Sequence, residues 1–164
     1  MVSFYSMRTV RLENGVVSII DQRKLPHKLS YLRCRSSSQV AEAIKTMAVR
    51  GAPAIGVAAA AGLALAAYRS KAKTKEALLK DLEKAEQKLR NTRPTAVNLF
   101  WALERVMRKA RSAKGSVEEA VNMVISEVRK MAEEDVETNR KIGEEGASLI
   151  RDGDSVLTHC KWLS

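Results

Sequence analysis

The sequence predicts an α+β fold that is mostly helical, with a small N-terminal β-hairpin element, about five helices, and a last strand that opens a further α/β layer. Three observations predict it. Two short β-prone runs flank Asn14-Gly15, a pair that favours the positive dihedrals of a tight hairpin turn. From Val40 onward, apolar residues recur at intervals of three and four, the helical spacing. After a turn signal at Asp152-Gly153, "DSVLTH" is β-prone again. The chain divides accordingly into a β element and loop (1–36), a helical domain (37–151) and the start of an α/β domain (152–164).

In order, "MRTVRLENGVVSIID" reads as a hairpin from Met7 to Asp21, followed by the loop "QRKLPHKLSYLRCRS". Serines 36–38 can cap a helix over about Ser38 to Val49, with Val40, Ala43, Ile44 and Met47 on its apolar face. The 18-residue run from Gly51 to Tyr68 has no charge and reaches the lower length limit for a membrane span. Twelve of its residues are Ala or Gly, whose transfer out of water contributes little beside Leu or Ile, so it reads as a buried helix against which other backbones pack closely. Next, "KTKEALLKDLEKAEQKLR" places Leu78, Leu79, Leu82, Ala85 and Leu89 on one face with mixed charge opposite. Another amphipathic helix is predicted from Pro94 to about Ala113. Ser116 with Glu119 matches a capping box at the head of a stripe of Val117, Val121, Val124, Val128 and Met131. That stripe continues to Asp135 and Asn139, polar groups on a core face that either tie down a neighbouring segment or look into a polar cleft.

Charge and composition narrow the function. Lys and Arg number 29 against 19 Asp and Glu, a net charge of +10, yet aromatic residues make up only 4%. No stacking platform, zinc-ligand spacing or basic recognition helix is evident, which argues against nucleic acid as partner and for a basic surface that attracts anionic small molecules. Two cysteines, Cys34 and Cys160, make no disulfide framework, and the start "MVSFYSMRTVRLENG" lacks a leader's apolar stretch, so a cytoplasmic location is expected.

Two predicted helix starts share a device. "RGAP" and "TRPT" each set an arginine within three residues of a proline suited to the first helical position. A helix start offers unpaired amides and partial positive charge to anions, a preceding glycine lets the backbone come close, and arginine adds a fork matched to phosphate oxygens. If the two starts converge, Arg50, Gly51, Ala52 and Arg93 form a phosphate pocket; otherwise each arginine caps a loop or pairs with a carboxylate. Cys160, at a strand end, is either a reactive thiol facing a cleft or an inert buried one.

"IIDQRKLP", "MAVRGAPAIGVAAAAG", "RPTAVNLFWAL", "EDVETNRKIGEEGA" and "LTHC" occur in an order that closely resembles the methylthioribose-1-phosphate isomerase family, related to the alpha, beta and delta subunits of translation initiation factor 2B and to archaeal ribose-1,5-bisphosphate isomerase. The resemblance runs from about Asp21 to Cys160. It implies an aldose-to-ketose isomerisation in methionine salvage, 5-methylthioribose 1-phosphate to 5-methylthioribulose 1-phosphate, with no cofactor or metal. It also implies that Arg50 to Ala52 and Arg93 hold the substrate, that Cys160 takes part in the chemistry, and that full-length members are homodimers. The family continues "HCN" into a Gly-containing turn and a Rossmann-like C-terminal domain that supplies a catalytic aspartate, whereas this sequence reads "HCKWLS". The expectation is therefore the N-terminal domain of such an isomerase, shortened, holding half of the site and little activity alone. The alternative is an interaction module of the initiation-factor type that binds protein or RNA without catalysis.

Overall fold

The computed structural model describes residues 8–157. Strands β1 (Val10–Glu13) and β2 (Val16–Ile20) pair antiparallel, with Glu13 opposite Val16. Asn14 and Gly15 join them with φ of 49° and 69°, the doubly positive turn that the sequence predicts. Gly15 serves packing as well, because a Cβ there would lie 2.3 Å from a ring carbon of Tyr68. Val10, Val17 and Ile19 turn inward and are buried.

The segment read as a loop after Asp21 contains a third strand, β3 (Tyr31–Cys34), antiparallel to β2 with Val17 opposite Cys34. It is an edge strand, and only Cys34 of its four residues is buried. With one apolar contact to offer, it leaves almost no alternating pattern in the sequence.

Helix α1 (Ser37–Lys45) is capped by Ser36, whose hydroxyl accepts from the Gln39 amide. It stops four residues short of the predicted Val49. The Met47 amide donates to the Ile44 carbonyl and the Ala48 amide to the Ala43 carbonyl, with Met47 at φ 58°, which is the left-handed exit that usually falls to glycine. Ala48 and Val49 are fully buried, so the apolar pattern persists beyond the end of the helix.

Helix α2 (Ala52–Arg69) packs against the other four helices and against β1 and β2. By length and composition it could cross a bilayer, and 72% of it is buried inside the fold. Apolar residues on every side follow from that central place. Helix α3 (Lys75–Arg90), capped by Thr74, buries Leu78, Leu82, Ala85 and Leu89. Helix α4 (Val97–Ser112) buries Leu99, Leu103, Val106 and Met107. It begins three residues after Pro94, which was expected at its first position. The Ala96 amide instead donates to the Arg93 carbonyl, closing a turn with Pro94 in its second place, where the fixed φ of proline also fits.

The predicted capping box opens α5 (Val117–Ala147), with the Ser116 hydroxyl accepting from the Glu119 amide and the Glu119 carboxylate from the Ser116 amide. Its buried residues end at Met131, and Ile142 beyond is 64% exposed. One hydrophobic cluster runs from the sheet through all five helices. The strand expected over Ser155–His159 is not formed at 155–157, where no neighbouring strand among the described residues offers a ladder; Thr158, His159 and Cys160 lie outside the described residues.

Candidate functional site

The starts of α2 and α4 lie at one end of the helical bundle. Gly56, one turn into α2, faces the backbone of α4 so closely that a Cβ would stand 3.0 Å from the Asn98 carbonyl oxygen. Helix α5 runs antiparallel to α4, since Arg105 reaches both Glu127 and Glu134 while Lys109 reaches back to Glu127. The second half of α5 therefore reaches the same end.

Arg50 sits between the exit of α1 and the start of α2. Its Nε donates to the Met47 carbonyl at 3.3 Å, a partial loop cap, and no carboxylate lies within ion-pair distance among the described residues. Gly51 caps α2 with φ 88° and ψ 130°, a conformation that side-chain-bearing residues rarely adopt, and contributes no side-chain cap. Pro53 occupies the second helical position, one later than expected but still in the turn whose N–H groups have no intrahelical acceptor. Gly51, Ala52 and Pro53 are exposed, with open space in front of Gly51. The Ala52 amide is thus free of helix bonds and next to solvent.

Arg93 is half-buried in the turn before α4, and its guanidinium likewise has no ion pair among the described residues. That separates Arg50 and Arg93 from arginines whose role is structural. Arg90 pairs with Glu86 and Glu104 and lies over the Phe100 ring; Arg105 pairs with Glu127 and Glu134 and lies over Trp101. Carboxylate pairing, one of the two alternatives, fails for both candidate arginines, while the loop cap holds in part for Arg50.

Asp135 and Asn139 on α5 are half-buried, and the Asn139 amide donates to both the carbonyl (2.9 Å) and the carboxylate (3.3 Å) of Asp135. Burial pushes the Asp135 carboxyl up, against the smaller lowering influence of that amide. Cys34, the buried cysteine of β3, has its thiol pushed up by burial and stays protonated. Among the described residues no three His, Cys, Asp or Glu side chains converge as metal ligands.

Sequence reasoning gave no site role to Asp21 and Gln22, the two buried polar residues of the described chain. Asp21 accepts from Arg23 Nε at 2.7 Å and Nη2 at 2.8 Å, and that guanidinium holds its carboxyl below the ordinary range despite burial. The Gln22 backbone amide donates to the Ala48 carbonyl at 2.9 Å and its side-chain Nε2 to the Arg50 carbonyl at 3.4 Å. Two consecutive polar residues directly after the apolar "VVSII" run were the available signal.

This chain is similar in sequence to known proteins and in fold to solved structures. The methylthioribose-1-phosphate isomerase of Thermosipho melanesiensis is 49% identical over 142 residues, 87% of this chain and 41% of the relative. A crystal structure of 5-methylthioribose 1-phosphate isomerase from Pyrococcus horikoshii superposes with a TM-score of 0.85 at 48% identity, covering 89% of this chain and 41% of that one. A structure described as the delta subunit of translation initiation factor eIF-2B, from A. fulgidus, gives 0.84 at 48% identity, over 91% and 43% of the two chains. The chain thus spans about two-fifths of the length of these relatives. Residues 48–162, most of the sequence and the part that carries both helix starts, match the model of the Initiation factor 2 subunit family, and the chain belongs to that family.

Proposed function

We propose that this chain carries the phosphate-holding half of a sugar-phosphate isomerase site, with 5-methylthioribose 1-phosphate as the substrate and Arg50, Gly51, Ala52 and Arg93 on its phosphate. The observation that carries the reading is the close approach of Gly56 to Asn98, which brings together two helix starts whose arginines have no carboxylate partner among the described residues. Guanidinium forks, exposed amides and the positive end of α2 all favour a dianion there. A phosphate ester on C1 prevents ordinary opening of the sugar ring, so the phosphate must be held while the ring opens and hydrogen moves between C2 and C1. That transfer needs an acid and a base placed on the sugar. The family resemblance gives one of these roles to Cys160 and the other to an aspartate in the part of the relatives that this chain does not span. We accordingly expect the 164-residue chain to bind substrate and turn over little of it, and the full-length protein to act as a cytoplasmic homodimer without cofactor.

Thermal unfolding of the chain with inorganic phosphate, 5-methylthioribose 1-phosphate or an RNA oligonucleotide tests this reading. A phosphate ligand at 100 times its Kd should add about 2.7 kcal/mol, raising the Tm by roughly 5–10 °C. Arg50→Ala and Arg93→Ala should abolish most of the rise, and RNA should produce none. The structure from A. fulgidus favours a second reading, an interaction module without chemistry. A shift with RNA or a partner protein and none with either phosphate ligand would support that reading and sink ours.

A further inference from the structure

We infer that Gln22 is a positioning residue for the phosphate site, aiming the Gly51 amide and the Arg50 side chain by holding the carbonyl that lies between them. The inference rests on the reading of Arg50 to Ala52 as phosphate ligands and adds a residue that touches none of the substrate.

Gln22 is 4% exposed, and a buried amide is disfavoured unless it finds hydrogen bonds. Its backbone N–H donates to the Ala48 carbonyl and its side-chain Nε2 to the Arg50 carbonyl, so it grips the loop between α1 and α2 at two points two residues apart. A leucine would fill similar space and avoid the polar cost. What the amide adds is a donor to Arg50, while its Oε1 is buried without a hydrogen-bond partner among the described residues.

The effect reaches the site through the peptide plane. In a trans peptide the C=O of one residue and the N–H of the next point in opposite directions. Drawing the Arg50 carbonyl toward Gln22 therefore turns the Gly51 N–H to the opposite side of the peptide, away from Gln22. The same plane fixes where the Arg50 Cα sits and so where its guanidinium starts. Gly51 at φ 88° is the joint that lets this plane meet the helix at the required angle. The left-handed Met47 exit sets the other end of the loop, and Gln22 closes the span between the two unusual dihedrals.

The test compares the 164-residue chain with its Gln22→Leu, Gln22→Glu and Val124→Ala variants. Glutamate keeps the shape of glutamine and puts an acceptor where a donor is needed, while Val124→Ala opens a buried site in the first half of α5, toward its capped start. Inorganic phosphate affinity is measured by calorimetry, and the rate of tryptic cleavage after Arg50 by peptide mapping, both well below the Tm of each variant. Both Gln22 variants should bind phosphate at least 10-fold more weakly and be cut after Arg50 several-fold faster. Val124→Ala should lower the Tm and change neither quantity, which separates positioning from general stability. Wild-type phosphate affinity in both Gln22 variants overturns the inference, and so does its retention in Gln22→Glu alone. If the unsubstituted chain binds neither inorganic phosphate nor 5-methylthioribose 1-phosphate, the reading of the site falls, and cleavage then decides the role of Gln22 in the loop: faster cutting supports it, an unchanged rate overturns it.

Discussion

Replacing Gly51 by alanine isolates a backbone effect. A Cβ built at this position meets nothing within 4 Å, and the residue is exposed, so neither packing nor burial opposes the methyl group. The cost comes from φ 88° with ψ 130°, outside the regions that L-residues populate. Such conformations cost about 1–3 kcal/mol each. Against this, alanine narrows the unfolded ensemble and returns about 0.4–1 kcal/mol. The expected net loss is roughly 1.5 kcal/mol, or a fall in Tm of roughly 3–6 °C for a chain of this size. Urea unfolding should show a lower midpoint at unchanged slope. If the loop relaxes to negative φ instead, the stability loss shrinks, the Gly51 amide turns away, and phosphate affinity falls in its place. An L-alanine variant with unchanged midpoint and unchanged phosphate affinity would refute the argument.

Met47→Gly should stabilise the protein by about 1 kcal/mol, because a left-handed φ of 58° is disfavoured for a residue with a Cβ; chemical unfolding measures it. Arg105→Met should cost about 1–2 kcal/mol in the same assay, since it leaves Glu127, only 13% exposed, with the distant Lys109 alone. Arg140→Met, which breaks pairs that are solvent-exposed at Glu137 and Glu144, should leave the midpoint unchanged. The lowered carboxyl of Asp21 stabilises the fold above its unfolded value of about 3.9, and that contribution disappears as pH falls through the folded value; Asp21→Asn should flatten stability below about pH 4. Asp135 acts in the opposite sense, because its raised carboxyl gives stability that is present below the unfolded value and lost as pH rises through the folded one. Asp135→Asn should accordingly remove a loss of stability seen on going from pH 4 toward neutrality.

The elements readable in the sequence are those set by neighbours along the chain. Asn14-Gly15 makes its turn through its own dihedral preferences, Ser116 and Glu119 bond each other's amides, and the Ala-rich α2 is apolar all round wherever it is placed. The elements that escaped have causes elsewhere in the fold. Strand β3 exists because β2 offers a free edge, and only Cys34 marks its buried side. Helix α1 ends at Lys45 although apolar Ala48 and Val49 continue the pattern, because the chain must turn toward α2 while still burying them. Pro94 fits a turn as well as a helix start, since both ask for the same φ, and local sequence cannot choose between them.

The candidate site divides in the same way. By itself the sequence determined that Arg50, Gly51 and Ala52 precede a buried helix and that Arg93 stands beside a proline, because residue types and spacing are properties of the chain. Only the tertiary structure decided that the two segments share one end of the bundle, through a glycine narrow enough for α4 to reach α2. It also decided which arginines stay free of carboxylates among the described residues, and that Gln22, 28 residues before Arg50, holds the Arg50 carbonyl. Pairing and close approach depend on distances in space, and a chain with 19 carboxylates and 29 cations allows far more combinations than folding realises.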